Sequence, residues 1–202
     1  ANCISEIIRK SIHNDNIAPR DICILSRNRP DDYAAFVQSF LDKKGLKSRI
    51  ESELQNLLSE PITTILISFL RLITKERSPV DWRIIMDFKS KITGTDDDLA
   101  NKYHEEELST AIKRLKRKIK GIQNFSKKNM FDLLSEIIDF FDKDIIKKEL
   151  PKYKQGSFFN DTINSISEYL FQYHKNSNLD QALDEFEGIN SIPIMTVHKV
   201  KG

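Results

Sequence analysis

The sequence of 202 residues contains only six glycines, and none of them precedes a lysine. The most common nucleotide-hydrolysing domains need a glycine-rich loop that ends in Gly-Lys-Ser or Gly-Lys-Thr, because its amides and lysine hold the phosphates. A phosphate loop of that kind is therefore absent from this sequence. Nucleophile-elbow and Ser-His-Asp patterns are absent as well, so we expect no catalytic residues and no complete enzyme in this chain alone.

Cysteine and histidine are also scarce. Cys3 and Cys23 are the only thiols, which is typical of a reducing compartment, and we expect a cytoplasmic protein. Cys23 lies in an apolar run, where a small buried thiol is expected. The four histidines are scattered without the spacing of zinc ligands, so no metal site is expected.

Long apolar runs are missing too. No stretch approaches the ~20 apolar residues that cross a bilayer, so we expect no membrane partner. The first ten residues, ANCISEIIRK, are too polar for a signal peptide and include no initiator Met. We therefore expect both ends of the sequence to be boundaries within a longer protein.

Positive charge is clustered rather than abundant. Lysine and arginine number 32 against 30 acids, and this balance does not by itself predict a nucleic-acid binder. The segment 113–128 carries eight basic residues and no acid, whereas acids dominate 96–107. Acids before bases complement a helix macrodipole, which favours a solvated helix over the alternative of a phosphate-binding face. The candidate residues of that face are Lys113, Arg114, Lys116, Arg117 and Lys120.

Apolar runs at both ends of the sequence predict a parallel sheet. The runs near 22–26 and 46–50 flank a helix predicted over 31–44, which Gly45 ends. The continuous run near 22–26 is typical of a strand that is covered on both faces. A third run near 192–197 predicts a strand that returns beside 22–26.

Between these runs the pattern is almost wholly helical. The predicted fold is α/β, with a partial RecA-like sheet domain of residues 1–55 and 190–202 interrupted by an all-α insertion of residues 56–189, and mostly α overall. Ser59 and Ser78 are predicted helix caps, and aromatic residues at helical spacing, Trp82 among them, are predicted core. Helices are predicted over 105–120, 131–150, 158–173 and 179–186.

The last eleven residues, IPIMTVHKVKG, place polar side chains directly after a predicted strand. In open α/β sheets, ligands bind at the carboxyl ends of the strands. Thr196 can donate to a phosphate, His198 can donate or stack, and Lys201 supplies charge.

Three segments resemble UvrD/Rep/PcrA-type superfamily 1 DNA helicases. IMTVHKVKG resembles motif V of that family, which has the pattern apolar-Met-Thr-x-His-x-x-Lys-Gly-Leu-Glu. DICILSRNRPDDYAAFVQSFLDKKGLKSRI is similar to the family's strand, Leu-x-Arg, helix and second strand, and EPITTILISFLRLI resembles the first helix of its helical insertion. The resemblance implies part of the second RecA-like motor domain, with a helical insertion of the 2B type.

The resemblance also implies an activity for the whole protein. Helicases of this type move 3′ to 5′ along single-stranded DNA and hydrolyse ATP with Mg²⁺ between two RecA-like domains. The motifs that bind ATP and Mg²⁺ are expected outside this sequence, so this chain alone should bind neither and should be inactive. Several members carry a duplex-binding Gly-Ile-Gly loop in the insertion, and the nearest stretch here is KITGTD. The expected partner is single-stranded DNA, with a duplex junction as a further candidate.

The resemblance assigns roles to individual residues. Thr196, His198 and Arg27 fall on positions that the family uses along its DNA path, and Lys201 and Gly202 complete the turn that couples DNA to nucleotide. The family usually has Asn two residues after the Leu-x-Arg arginine. Here Arg29 occupies that position and is a further candidate DNA contact.

Two other classes of function stay open from the sequence. The helical segment could be a non-catalytic module that binds protein partners. The chain could also be an inactivated helicase-like domain of a helicase–nuclease. The sequence on either side of this chain would separate these classes, because a motor needs a Gly-Lys-Thr loop in the parent protein.

Overall fold

The structure, a computed structural model, describes residues 2–27, 30–51, 54–94, 97–122, 124–175 and 177–196. The chain is mostly helical with a small parallel sheet, as the sequence predicts, and none of the described helices has both the length and the apolar character of a membrane span. Short 3-10 turns lie at Pro19–Asp21 and Pro151–Lys154. The helices and strands are α1 (Asn2–His13), β1 (Ile24–Ser26), α2 (Pro30–Asp42), β2 (Ser48–Ile50), α3 (Leu54–Leu58), α4 (Pro61–Thr74), α5 (Pro79–Thr93), α6 (Asp98–Lys120), α7 (Lys127–Phe141), α8 (Lys143–Glu149), α9 (Phe158–His174), α10 (Leu179–Glu187) and β3 (Ile192–Thr196).

Contacts along the chain define two compact units. The sheet unit comprises Ala1–Asn56 and Asp184–Gly202, and the helical unit comprises Leu57–Leu183. The sequence predicts that the helical insertion begins after residue 55 and ends at residue 189, whereas the observed helical unit begins after residue 56 and ends at residue 183. A discontinuous unit of this kind forms when a strand late in the chain pairs with strands formed early in it.

The late strand, β3, lies in the middle of the sheet. The strand order is β1-β3-β2, and both pairings are parallel. Ile194 is the Cα partner of Ile24 on one side and of Ile50 on the other. The predicted return of the chain beside residues 22–26 is therefore confirmed, and the returning strand also pairs with β2.

One face of the sheet carries the core of this unit. Ile192 is buried in a cluster with Ile8 of α1 and Leu41 of α2, and Ile22 and Ile24 are packed against this cluster. Gly45 has φ +71° after α2, which confirms its predicted role at the end of that helix.

The opposite face of β1 is open to solvent in the described residues. Successive strand side chains point to opposite faces, and Leu25 is 49% exposed. Cys23 is exposed as well. The predictions that this strand is covered on both faces and that Cys23 is buried are therefore wrong. The helices α1 and α2 pack on the side of Ile22 and Ile24, so the alternate residues remain outside.

Arg49 of β2 holds the end of α10 against the sheet. Its Nη1 donates to the carbonyl oxygens of Phe186 at 2.7 Å and Glu185 at 3.2 Å, and its Nε donates to the Glu51 carboxylate. Gly188 has φ +71°, and a Cβ atom there would lie 2.2 Å from the Arg49 Cζ. Glycine at this position therefore leaves the space that the guanidinium occupies.

We expect Gly188→Ala to destabilise the sheet unit more than Gly45→Ala. Both glycines have φ +71°, so each alanine carries about 1 kcal/mol of backbone strain. No atom lies within 4 Å of the Cβ position at Gly45. Alanine at Gly188 also displaces Arg49 from its charged hydrogen bonds, which costs a further ~1–3 kcal/mol.

Amide hydrogen exchange of Ile192 measures this difference, because its N–H donates to the Lys47 carbonyl at 2.9 Å within the sheet. Equal exchange rates in the two variants would show that Arg49 does not fix the position of Gly188.

The helical unit is built around α4. Eleven of the fourteen residues of this helix are buried, and α5, α6 and α7 pack against it. Phe69 of α4 makes edge-to-face contacts with Phe140 and Phe141 of α7, at centroid distances of 5.4 and 6.0 Å. Not all predicted core aromatics are inside, since Phe131 and Phe158 are each exposed.

Helix boundaries differ from the predicted ones where acidic side chains cap them. The charged helix begins at Asp98 rather than at 105, because the Asp97 carboxylate accepts from the Ala100 N–H at 2.7 Å. The predicted helix over 131–150 is broken at Asp142. This residue has φ +68° and its carboxylate caps α8 by accepting from the Asp144 N–H at 2.9 Å.

The predicted serine caps differ in outcome. The N-cap of α4 is Glu60 rather than Ser59. Ser78 is the N-cap of α5 as predicted, although its hydroxyl donates to the Asp81 carboxylate rather than accepting from a backbone N–H.

Tyr153 joins the start of α4 to the turn after α8. Its hydroxyl donates to Glu60 Oε2 at 2.6 Å and accepts from the Ile62 N–H at 3.3 Å. Burial, followed by the hydrogen bond to Glu60, raises the pKa of the Tyr153 hydroxyl well above its usual value. The neutral phenol is therefore the form that stabilises the folded unit.

We expect Tyr153→Phe to lower the free energy of unfolding by ~1–2 kcal/mol near neutral pH, because the Ile62 N–H loses its partner. Above pH ~10 the unfolded chain ionises this tyrosine first, so the wild-type protein should lose part of this stabilisation as the pH rises. Denaturant unfolding at a series of pH values measures both effects.

Tyr103→Phe is the matched control, because Tyr103 is 65% exposed. The unfolding free energy of this variant should follow the wild-type pH dependence. An identical pH profile for Tyr153→Phe and wild type would contradict the role assigned to the Tyr153 hydroxyl.

Candidate functional site

The sheet brings two of the predicted site residues to one edge. Ser26 ends β1, Thr196 ends β3, and these two residues are Cα partners in the parallel ladder. Arg27 follows Ser26 directly and is exposed, whereas Thr196 is half-buried. The carboxyl edge of the sheet therefore combines a cation and a hydroxyl from positions separated by most of the chain.

At this edge, the side chains of Ser26 and Arg27 make no structural hydrogen bonds or ion pairs in the described part of the chain. Within the described part of the chain, the Arg27 guanidinium makes no hydrogen bond or ion pair, and the buried Ser26 Oγ has no hydrogen-bond partner. Buried hydroxyls usually have a partner, so the Ser26 hydroxyl is an exception at this edge. The exposed guanidinium of Arg27 can donate hydrogen bonds to an anionic group, whereas the Ser26 Oγ is buried.

The end of β2 contributes a compensated charge. Glu51 is buried, its carboxylate pairs with Arg49, and its N–H donates to the Ile194 carbonyl at 3.0 Å. Because Arg49 neutralises this carboxylate, Arg27 remains the cation that the described edge offers to a ligand.

The other predicted residues of the tail and of the loop after β1 lie outside the described residues. These are Arg29, His198, Lys201 and Gly202. Their assignment as DNA contacts and as the coupling turn stays a prediction.

Four of the five basic candidates of the helical unit share one side of α6. Lys113, Lys116, Arg117 and Lys120 follow the i, i+3, i+4, i+7 spacing of a single helix face, and we call them the basic stripe. The buried residues Ala111 and Leu115 stand two positions before Lys113 and Arg117, a rotation of about 200°. The stripe therefore lies opposite the core, as the prediction of a solvated helix face requires.

Arg114 stands apart from the basic stripe. It lines a cavity of about 760 Å³ together with Glu106, Glu107, Glu136 and Asp139. Lys118, four residues after Arg114, forms an ion pair with Glu136. These acidic neighbours make Arg114 a poor phosphate ligand compared with the stripe.

Sequence reasoning missed a cavity beside Trp82. The indole was predicted core, but it is half-buried and lines a cavity of about 480 Å³ with cations from the α4–α5 connection and from α6. The signal in the sequence was faint. Basic residues Lys75 and Arg77 precede the only tryptophan of the chain by less than two helical turns.

The described residues offer no set of ligands for a metal ion. They contain no group of three or more His, Cys, Asp or Glu side chains placed to hold one. Two of the acidic side chains of the helical unit pair with lysines instead, in Lys89–Glu107 at 3.0 Å and Lys91–Glu149 at 2.8 Å.

The resemblance to UvrD-type helicases depends on three segments of the sequence, 21–50, 60–73 and 194–202. The first and third of these segments supply β1, β2 and β3 of the sheet. The second segment covers α4, the central helix of the other unit. The sequence matches no protein-family model, and none of the curated proteins is significantly similar to it.

Proposed function

We propose that this chain is part of an ATP-dependent DNA helicase or translocase of the UvrD/Rep/PcrA type. In this proposal it supplies a portion of the second RecA-like domain together with the helical insertion. One observation supports the proposal most. The segment that resembles motif V forms the central strand between the two strands of the Leu-x-Arg segment, although the helical unit separates them in sequence.

The proposed contribution to DNA binding is electrostatic. The Arg27 guanidinium would donate to a backbone phosphate of single-stranded DNA, and the Thr196 hydroxyl would donate to the same or the next phosphate. Contacts of this kind grip a strand without selecting its sequence, which suits movement along DNA. Two observations support this role. The Arg27 side chain has no partner among the described residues, and it follows Ser26, the strand partner of Thr196.

Nucleotide and Mg²⁺ belong to other parts of the proposed helicase. The chain has no Gly-Lys-Ser/Thr loop, and its described side chains do not form a metal-ligand group. We therefore assign no step of ATP hydrolysis to residues of this chain.

We expect this chain alone to bind a labelled oligo(dT) weakly, with an affinity that falls steeply with salt. Arg27→Ala should lower the slope of log affinity against log salt concentration by roughly 0.7, which corresponds to one lost phosphate contact on a single strand. Fluorescence anisotropy over a salt series measures this slope.

Arg20→Ala is the matched control, because Arg20 is an exposed arginine just before β1, at the opposite end of the strand. Its salt slope should equal that of the wild-type protein. If Arg20→Ala and Arg27→Ala changed the slope equally, the carboxyl edge would not be the DNA-binding surface.

We also expect no ATP hydrolysis by this chain alone, with or without oligo(dT), because the phosphate loop is missing. Release of inorganic phosphate from ATP measures this directly. DNA-stimulated phosphate release by the purified chain would overturn the assignment to the second motor domain.

A second candidate function is a module that binds protein partners through the helical unit. Large apolar side chains on this unit are open to solvent, with Val80 71% and Leu99 82% exposed. A contiguous apolar patch that included these side chains would be an interaction surface. The two functions are compatible in one protein, because they use different units of the chain.

A further inference from the structure

The cavity beside Trp82 has an apolar floor and a cationic rim. It measures about 480 Å³ and lies where the end of α4, the start of α5 and the middle of α6 meet in the helical unit. Its apolar lining comes from Leu72, Pro79, Trp82 and Ile112. A volume of this order accommodates a large apolar side chain together with part of its backbone.

Two of the three cations at the rim are available for a ligand. Within the described residues, the exposed side chains of Arg77 and Lys113 make no ion pair or hydrogen bond. Lys75 lies 4.0 Å from Asp180, the outer limit of an ion pair. Against these three cations, Glu76 supplies the carboxylate of the lining, so the rim favours an anionic partner.

A second cavity is also lined by Trp82. It measures about 840 Å³ and shares Pro79 and Trp82 with the first. Its charges differ in kind, because its lining combines Asp87 and Glu105 with Arg83, while Lys91 is already paired with Glu149 at 2.8 Å. Trp82 thus lines both a cationic cavity and one with no positive excess.

We propose that these two cavities bind an extended segment of a partner protein. The segment places a large apolar side chain against Trp82 and places acidic residues on one side of that anchor, at Arg77 and Lys113. Tryptophan and arginine are common anchors of protein interfaces, since they combine apolar area with polar contacts. This proposal concerns the helical unit and does not depend on the function assigned to the sheet unit.

The unequal charge of the two cavities favours a peptide over a nucleic acid. A nucleic-acid strand carries a phosphate at every nucleotide, so a strand that crossed Trp82 would bring phosphates next to Asp87 and Glu105. A protein segment can confine its acids to one side of the anchor. The apolar lining of the cationic cavity has a single aromatic side chain, Trp82, and its other apolar members are aliphatic. Such a lining suits an apolar side chain better than stacked bases.

Selection from a random-peptide library displayed on phage tests the proposal. Panning should be done on the wild-type chain and, in parallel, on Lys113→Glu. We expect the wild-type chain to enrich peptides with acidic residues beside a Leu, Phe or Trp, and Lys113→Glu not to enrich them. Enrichment of the same peptides by both proteins, or of peptides without acids, would overturn the proposal.

The enriched peptide is then synthesised without tryptophan and titrated into the protein. Trp82 is the only tryptophan of the chain, so its fluorescence reports this site directly. Lys113→Glu and Arg77→Glu should each weaken binding roughly tenfold, because attraction is replaced by repulsion. Lys102→Glu, which changes an exposed lysine of the same helix outside the cavities, should leave the affinity unchanged.

Oligo(dT) is the competing ligand in the same assay. We expect it to cause no saturable change in Trp82 fluorescence and no displacement of the peptide. Displacement of the peptide by oligo(dT), together with a weaker effect of oligo(dT) on Lys113→Glu, would show that the cavity binds nucleic acid and would overturn the proposal.

Discussion

The Arg49 guanidinium holds together parts of the sheet unit that lie 136 and 137 positions apart in sequence. It belongs to β2, yet it donates to the last carbonyl groups of α10 and to the Glu51 carboxylate. A buried charged pair of this kind is costly unless its hydrogen bonds are met, and here backbone carbonyls complete them. The chain therefore leaves α10 at a fixed place, four residues before β3 begins.

The register of β3 is set by the side chains that it buries on the core face of the sheet. Ile192 and Ile194 face the core, and a slip of one residue would turn both toward the opposite face of the sheet. In the observed register Thr196 pairs with Ser26, which sets the side chain of Arg27 at the same edge. The candidate site thus depends on the burial of two isoleucines that no ligand would touch.

Much of this fold could be predicted from local patterns. Gly45 marks the end of α2 because a left-handed residue there needs glycine, and the short apolar run at 192–196 indicates a strand. The break at Asp142 could not be predicted, since an aspartate with positive φ is uncommon and the apolar spacing continues across it. Capping by Asp97 was missed because the residues after it are polar, and polar turns resemble loops.

Burial and cavities were harder to predict than helices and strands. The exposure of Cys23 depends on which face of the sheet α1 and α2 cover, and this is a property of packing rather than of the run itself. The cavity beside Trp82 is formed by residues of three helices and the α4–α5 connection, with Lys113 36 positions after Arg77. No local periodicity relates positions so distant. The edge formed by Arg27 and Thr196 could be anticipated only because two segments resemble a known order of motifs.

The position of β3 in the middle of the sheet affects how the chain folds while it is being synthesised. The helical unit is continuous in sequence and can fold as soon as it leaves the ribosome, because it is made of one uninterrupted segment, Leu57–Leu183. The strands β1 and β2 are made early but do not pair with each other, so both wait for a strand that is made more than 140 residues after β2. During that interval each has unpaired edges, which other chains could join. Cellular chaperones that shield strand edges should therefore matter more to this chain than its mostly helical content suggests.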